Sequence, residues 1–354
     1  MKRIKHALFV LLAAISLAVD SFALDVSAEC AVLMDAGSER VLYQKNMDSK
    51  HLIASTTKIM TALVALDLCE PGDVAVVPPE AARVGGSSMY LEAGQERTCG
   101  ELLTGLMLMS GNDAAVALAI HCGGSLDGFV RRMNDKAREL GMKNTSFANP
   151  HGLDDGAHFS TAMDMAALAR AAMADDRFAA IVSKKHGKVG EISVRNHNKL
   201  LWLLDGCEGV KTGFTKSAGR CLVSSTMRGG RRLIAVTLNA PDDWRDHAAM
   251  VNYGFSGAFV FYSWDKGERM PEVPVFAGAE HAVALEVAED TCVCLTKDEA
   301  QRAVMDIELP HYIWAPVTGG SAYGAITVKV DGKPVGHVDL IAPRAVMEKI
   351  KKKN

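Results

Sequence analysis

Apolar residues at Ile59, Met60, Leu63, Val64 and Leu66 recur at helical spacing and predict a buried helix over 55–68, closed by Pro71 and Gly72. A second apolar stretch, 101–120, is broken by Ser110, Gly111 and Asn112. Segment 129–140 is amphipathic and stops before Gly141, and 161–173 is a further helix with Asp164 in its first turn. Ahead of these, 31–34 and 40–43 flank a turn at Asp35 to Gly37 and read as a hairpin. The period then changes to two. Segments 191–195, 218–227 and 232–239 predict strands, the last two joined by a tight turn at Gly229 and Gly230, and 242–255 returns as a helix. Beyond Trp264 the helical signal fades into short β-type runs at 273–276, 283–287, 292–295, 305–309 and 326–330, the last entering a hairpin at Asp331 and Gly332. Helices bracketing an antiparallel sheet predict an α+β domain, and the short strands after it predict a small all-β sandwich.

The 354 residues allow two domains. The expected division is 1–28 as a leader, 29–264 as the α+β domain, 270–345 as the β-rich domain and 346–354 as a basic tail. Lys+Arg number 39 against 42 Asp+Glu, a net charge of −3, and no cationic face is offered to nucleic acid. With 49% apolar and 23% charged residues the chain is neither disordered nor a multi-span membrane protein. One segment breaks that average. Lys2, Arg3 and Lys5 precede an apolar run at 7–19, followed by Ser21, Ala23, Ser27 and Ala28. As a helix the run spans roughly 20 Å, short of the roughly 30 Å hydrocarbon core, so it reads as a secretory signal peptide cleaved after Ala28, with Ala23 as second choice. Export permits disulfides among the eight cysteines, but mostly buried thiols with one bridge is as good a reading as a disulfide framework.

Ser55 and Lys58 lie three apart at the start of the buried helix, on one face, so the lysine amine can reach the serine hydroxyl. A serine hydroxyl is a weak nucleophile without a base, and lysine is a base only when burial or a second cation lowers its pKa. The same Ser-x-x-Lys spacing recurs at Ser263 and Lys266, where no helix starts. Ser110 and Asn112 interrupt an apolar stretch, where polar side chains are costly unless they face a polar site. Lys211, Thr212 and Gly213 precede a strand. The lysine can bind a carboxylate, the threonine can donate to the same group, and the glycine allows close approach to the strand edge. His151 and His158 share a loop without an acidic partner at fixed spacing, and 196–198 reads as packing beside the site.

These three motifs occur in the order found in penicillin-recognising serine acyl-transferases. With segments 84–91, 106–115, 147–153, 160–164, 209–215 and 218–223, the chain closely resembles the low-molecular-mass D-alanyl-D-alanine carboxypeptidases over 31–240. The resemblance implies a β-lactamase-like catalytic domain followed by a small β domain. It implies that Ser55 forms the acyl-enzyme, Lys58 takes its proton, and Ser110 and Asn112 serve the departing D-alanine. Lys211 and Thr212 would hold the terminal carboxylate beside Gly213, and the Ser55 and Phe214 N–H groups would form the oxyanion hole. No cofactor or metal is implied. The implied partners are peptidoglycan stem peptides and β-lactams as covalent inhibitors. Between Asn112 and Lys211 no Glu-x-x-Leu-Asn segment occurs, Glu139 and Glu191 standing in a helix terminus and a strand, so penicillin should deacylate slowly and act as an inhibitor. Arg245 is the nearest candidate for an additional carboxylate-binding arginine, or else an exposed helix charge. A D,D-endopeptidase or weak transpeptidase is the rival enzyme, and an inactive wall-binding protein the rival of another class. The tail offers either a peripheral membrane contact or a solvated end.

Overall fold

Strand Cys30–Asp35 is buried at every position because it is an inner strand of a sheet with helices on both faces. It pairs antiparallel with Val41–Lys45 on one side and Arg231–Leu238 on the other. Gly219–Arg228 and then Cys207–Thr215 complete the five-stranded order. Val32 and Met34 face one helical core, whereas Leu33 and Leu233 meet Gly254 of helix Asp243–Phe255. The computed structural model describes residues 24–349 and divides between Phe255 and Ser256. The predicted leader core and the last five residues of the tail lie outside the described residues.

In the first unit, helix Lys58–Leu68 buries every residue from Lys58 to Leu66, as a helix surrounded by others must. Leu126–Glu139 instead buries only Phe129, Met133 and Ala137, four apart on one face. The interrupted apolar stretch forms two helices, Cys99–Leu108 and Asn112–Gly123. A capping box between Thr98 and Glu101 starts the first. The turn between Arg228 and Arg231 places both Gly229 and Gly230 at positive φ, the backbone a two-residue hairpin needs. Three short helices were not legible from periodicity: Pro79–Arg83, Asp176–Val182 and Leu200–Leu203 are too brief for a face to repeat.

Two placements differ from the sequence expectation. Lys211, Thr212 and Gly213 lie inside the edge strand Cys207–Thr215 rather than before a strand, because all three pair with Gly219–Arg228, Lys211 opposite Val223. Glu191 sits between the paired strands His186–Val189 and Ile192–Arg195, at their turn rather than within a strand.

The second unit is a six-stranded sheet ordered Ala303–Glu308, Ala322–Val330, Lys333–Ile341, Ala282–Val287, Arg269–Phe276 and Ile313–Trp314. Val273, Val283, Leu285, Ile326, Val338 and Leu340 lie in its core. Phe259–Trp264, expected at the end of the first domain, pairs along its length with Thr291–Thr296 and so belongs here. One short helix, Lys297–Arg302, interrupts the strands. Among the described residues no helix is long and apolar enough to cross a membrane.

Candidate active site

Ser55 sits in a single 3-10 turn, Ala54–Thr57, that runs directly into helix Lys58–Leu68. Ala54 holds φ at +47°, a left-handed conformation that costs a non-glycine residue energy and recurs at functional sites. Thr57 Oγ1 donates to the Ala54 carbonyl at 2.8 Å and lies 2.7 Å from His158 Nε2. His158 Nδ1 accepts from the Ala148 N–H, so its Nε2 carries the proton and donates to Thr57. Burial lowers the His158 pKa to about 4, against the nearby charges of Asp155 and Asp154, and the ring is neutral at neutral pH. His158 is thus a structural tie under the Ser55 turn.

Lys58 is fully buried, and its Nζ lies 2.8 Å from Ser55 Oγ, 2.7 Å from Asn112 Oδ1 and 2.7 Å from the His151 carbonyl. Burial above all, and then the like charge of Lys211, hold its pKa well below the ordinary lysine range; Asp113 acts in the opposite direction. A neutral amine has two N–H donors and one lone pair. Asn112 Oδ1 and the His151 carbonyl accept the two donors, which turns the lone pair toward the Ser55 hydroxyl. Burial and the Lys211 charge disfavour the ammonium, and the two carbonyl oxygens orient the amine beside Ser55.

The His151 carbonyl is a functional group that sequence reading missed, because a main-chain oxygen leaves no residue-type signal. Asn149 Oδ1 shapes its loop by accepting from the Gly152 N–H at 2.7 Å. Gly152 sits so close that an added Cβ would lie 1.9 Å from the Ala54 carbonyl. Burial, followed by Lys58 and His158, lowers the His151 pKa to about 4.

Ser110 occupies the break between the two helices, buried and at φ +63°. Asn112 Nδ2 donates to the Gly85 carbonyl at 2.6 Å, which fixes the amide so that Oδ1 faces Lys58. Asp113, unremarked in the sequence, accepts from Ser88 Oγ and from the Met89, Leu91 and Ala114 N–H groups. It pins segment 84–91 to the start of the Asn112 helix.

Lys211 is buried in the edge strand, with its pKa pushed down to about 7 by burial, and its Nζ donates to the Thr212 carbonyl at 2.8 Å. A Cβ on Gly213 would come within 3.0 Å of Ser55 N, so glycine is what lets this strand and the Ser55 turn run together. Phe214 is 65% exposed. His197 lies close enough to Lys211 for the lysine charge, after burial, to lower its pKa; 196–198 packs beside the site. Arg245 stands on the exposed first turn of its helix, 3.7 Å from Asp242. Glu139 ends its helix with an ion pair to Lys136.

Residues 17–242 match the family described as D-alanyl-D-alanine carboxypeptidase, and residues 263–348 match the penicillin-binding protein 5 C-terminal domain. The chain is 34% identical over 343 residues to D-alanyl-D-alanine carboxypeptidase DacF of Bacillus subtilis, covering 92% of this chain and 86% of the relative. It is 32% identical to DacC of Escherichia coli, covering 91% and 85%. Among solved structures, penicillin binding protein 5 from Haemophilus influenzae superposes with a TM-score of 0.76 at 30% identity, covering 92% of this chain and 98% of that one.

Proposed function

This chain belongs to the D-alanyl-D-alanine carboxypeptidase family of serine peptidases, and from that premise we propose that its Ser55, Lys58, Ser110, Asn112, Lys211 and Thr212 carry the reaction on peptidoglycan stem peptides. One observation supports this above the others: the buried Lys58 amine contacts Ser55 Oγ at 2.8 Å with its two other contacts both hydrogen-bond acceptors. Ser55 Oγ attacks the carbonyl carbon of the penultimate D-alanine while the Lys58 lone pair takes its proton. The Ser55 and Phe214 N–H groups receive the developing oxyanion, a reading supported by the close approach of Gly213 to Ser55 N. Ser110 gives its hydroxyl proton to the departing D-alanine nitrogen and recovers one from the Lys58 ammonium, and water then hydrolyses the ester. A β-lactam enters the same first step and stays bound as the ester.

The comparisons favour the carboxypeptidase over the D,D-endopeptidase, the transpeptidase and the inactive binder. The functional test is release of free D-alanine from a pentapeptide against cleavage of a cross-linked dimer. Dominant dimer cleavage would replace the reading. In this reading Lys211 and Thr212 hold the terminal carboxylate, a role supported by the lysine's charge on the strand beside Ser55. Lys211→Ala is therefore expected to reduce kcat/KM by about tenfold or more on a free-acid substrate, the scale of a charge-assisted hydrogen bond, with little change on its amidated analogue. Equal losses on both would remove the carboxylate role.

Export is part of the same reading. Ser27 Oγ and the Ser27 and Ala28 N–H groups all donate to the buried Asp246 carboxylate, which supports signal cleavage after Ala23 over cleavage after Ala28. A peripheral membrane contact at the C-terminus is supported by an exposed aromatic cluster. Phe276 and Trp314 lie 4.4 Å apart, with Tyr312 6.4 and 6.1 Å from them. Lys349 N–H donates to the carbonyl of Ala277, next in sequence to Phe276. Aromatics with adjacent lysines suit an anionic lipid interface. Co-sedimentation with phosphatidylglycerol vesicles should fall several-fold on deleting 344–354; unchanged sedimentation would assign the stretch to a solvated tail.

A further inference from the structure

The far ends of the three catalytic helical segments converge on sulfur and nitrogen donors that the reaction does not use. Cys69 caps the C-terminus of helix Lys58–Leu68, Cys99 opens helix Cys99–Leu108, and His121 lies in the last turn of helix Asn112–Gly123. The Cys69 and Cys99 sulfurs and a His121 ring nitrogen all lie within 4.8 Å of one another. Cys69 is disulfide-bonded to Cys122, next in sequence to His121. The Cys99 N–H donates to the Asp73 carbonyl, and the Gly100 N–H donates to the Pro71 carbonyl, both at 2.8 Å; these bonds hold the Cys99 turn against the loop after Cys69.

We propose that, with the Cys69–Cys122 bond reduced, Cys69, Cys99 and His121 form a binding site for one thiophilic divalent cation of the zinc type. The donor set is that of zinc proteins, two thiolates and an imidazole with a fourth position left for water or Cys122. Tetrahedral zinc, with bonds of about 2.3 Å to sulfur and about 2.0 Å to nitrogen, places its ligands roughly 3.5–3.8 Å apart. Donors within 4.8 Å of one another exceed this by at most about 1 Å, which a rotation of the exposed His121 ring and half-exposed Cys69 can close.

The chemistry balances with a dithiol as reductant. The Cys69–Cys122 bond takes two electrons and two protons and becomes two thiols, and the dithiol becomes a cyclic disulfide. Zinc then replaces the thiol protons of Cys69 and Cys99, releasing two protons, and accepts the lone pair of His121. Helix Lys58–Leu68 separates this cluster from the nucleophile by about 16 Å along its axis. The disulfide and the ion are thus alternative clamps on the same helix ends.

Zinc content of the full chain after gel filtration tests the proposal. The oxidised wild type should retain none, and the dithiothreitol-reduced wild type about one per chain. Cys122→Ser, which frees Cys69 without reductant, should also retain about one, with cobalt(II) giving a sulfur-to-metal charge-transfer band. Adding Cys99→Ala or His121→Ala to Cys122→Ser should remove most of that retention. Penicillin acylation of the same samples reports that the chain is folded. Failure of the reduced wild type to retain zinc, or retention that survives both Cys99→Ala and His121→Ala, overturns the proposal.

Discussion

Ser55→Ala is expected to lower D-alanine release by about 10⁴- to 10⁶-fold, the range seen when the nucleophile of a catalytic serine unit is removed. The loss should be almost pure chemistry. Ser55 is half-buried, and its hydroxyl contacts Lys58 alone among the hydrogen-bond partners described. The turn that presents it is held by Thr56, Thr57 and His158 instead. The variant should therefore melt within a few degrees of the wild type and still bind a substrate through Lys211. Residual turnover would come from the oxyanion hole and binding. A thermal melt beside a D-alanine assay separates the outcomes; wild-type turnover in a folded Ser55→Ala protein would remove Ser55 from the mechanism.

Lys58→Ala is expected to cost about 10²- to 10⁴-fold in acylation rate, the span for loss of a positioned general base. It also leaves Asn112 Oδ1 and the His151 carbonyl without their shared donor. The pH profile identifies the role. Burial and Lys211 depress the Lys58 pKa, so the base is neutral above that pKa and lost as pH falls through it. Lys211 titrates at about 7 in the free protein, so the cation that meets the carboxylate is lost as pH rises through that value. kcat/KM should follow a bell, and a bound carboxylate should carry the alkaline limb of kcat to higher pH. In Lys58→Ala the acid limb should vanish from the residual rate. An acid limb unchanged in that variant would assign the base to another group.

Elements with a repeating face were legible before the structure: Phe129, Met133 and Ala137 mark the buried side of their helix, and Gly229 and Gly230 mark a hairpin. The Ser55 to Lys58 spacing likewise translated into a direct contact, because three residues along a helical turn return to the same side. What escaped was decided by distant chain. Cys207–Thr215 lacks a clean alternation, with glycines at Gly209 and Gly213, and becomes a strand through its partner Gly219–Arg228. The His151 carbonyl acts through the main chain, on which residue type is silent, and the Asp113 carboxylate clamps 88–91 across some twenty residues of sequence through N–H groups that any residue carries. The Cys69, Cys99 and His121 cluster joins three helix ends that no local spacing relates.

Intact-mass measurement of the wild type after incubation with a labelled penicillin, followed by peptide mapping, tests the central claim most directly. The expected result is one penicilloyl group per chain, located on Ser55, long-lived, and absent from Ser55→Ala. No adduct on the folded wild type, or an adduct on any other residue, would contradict the account.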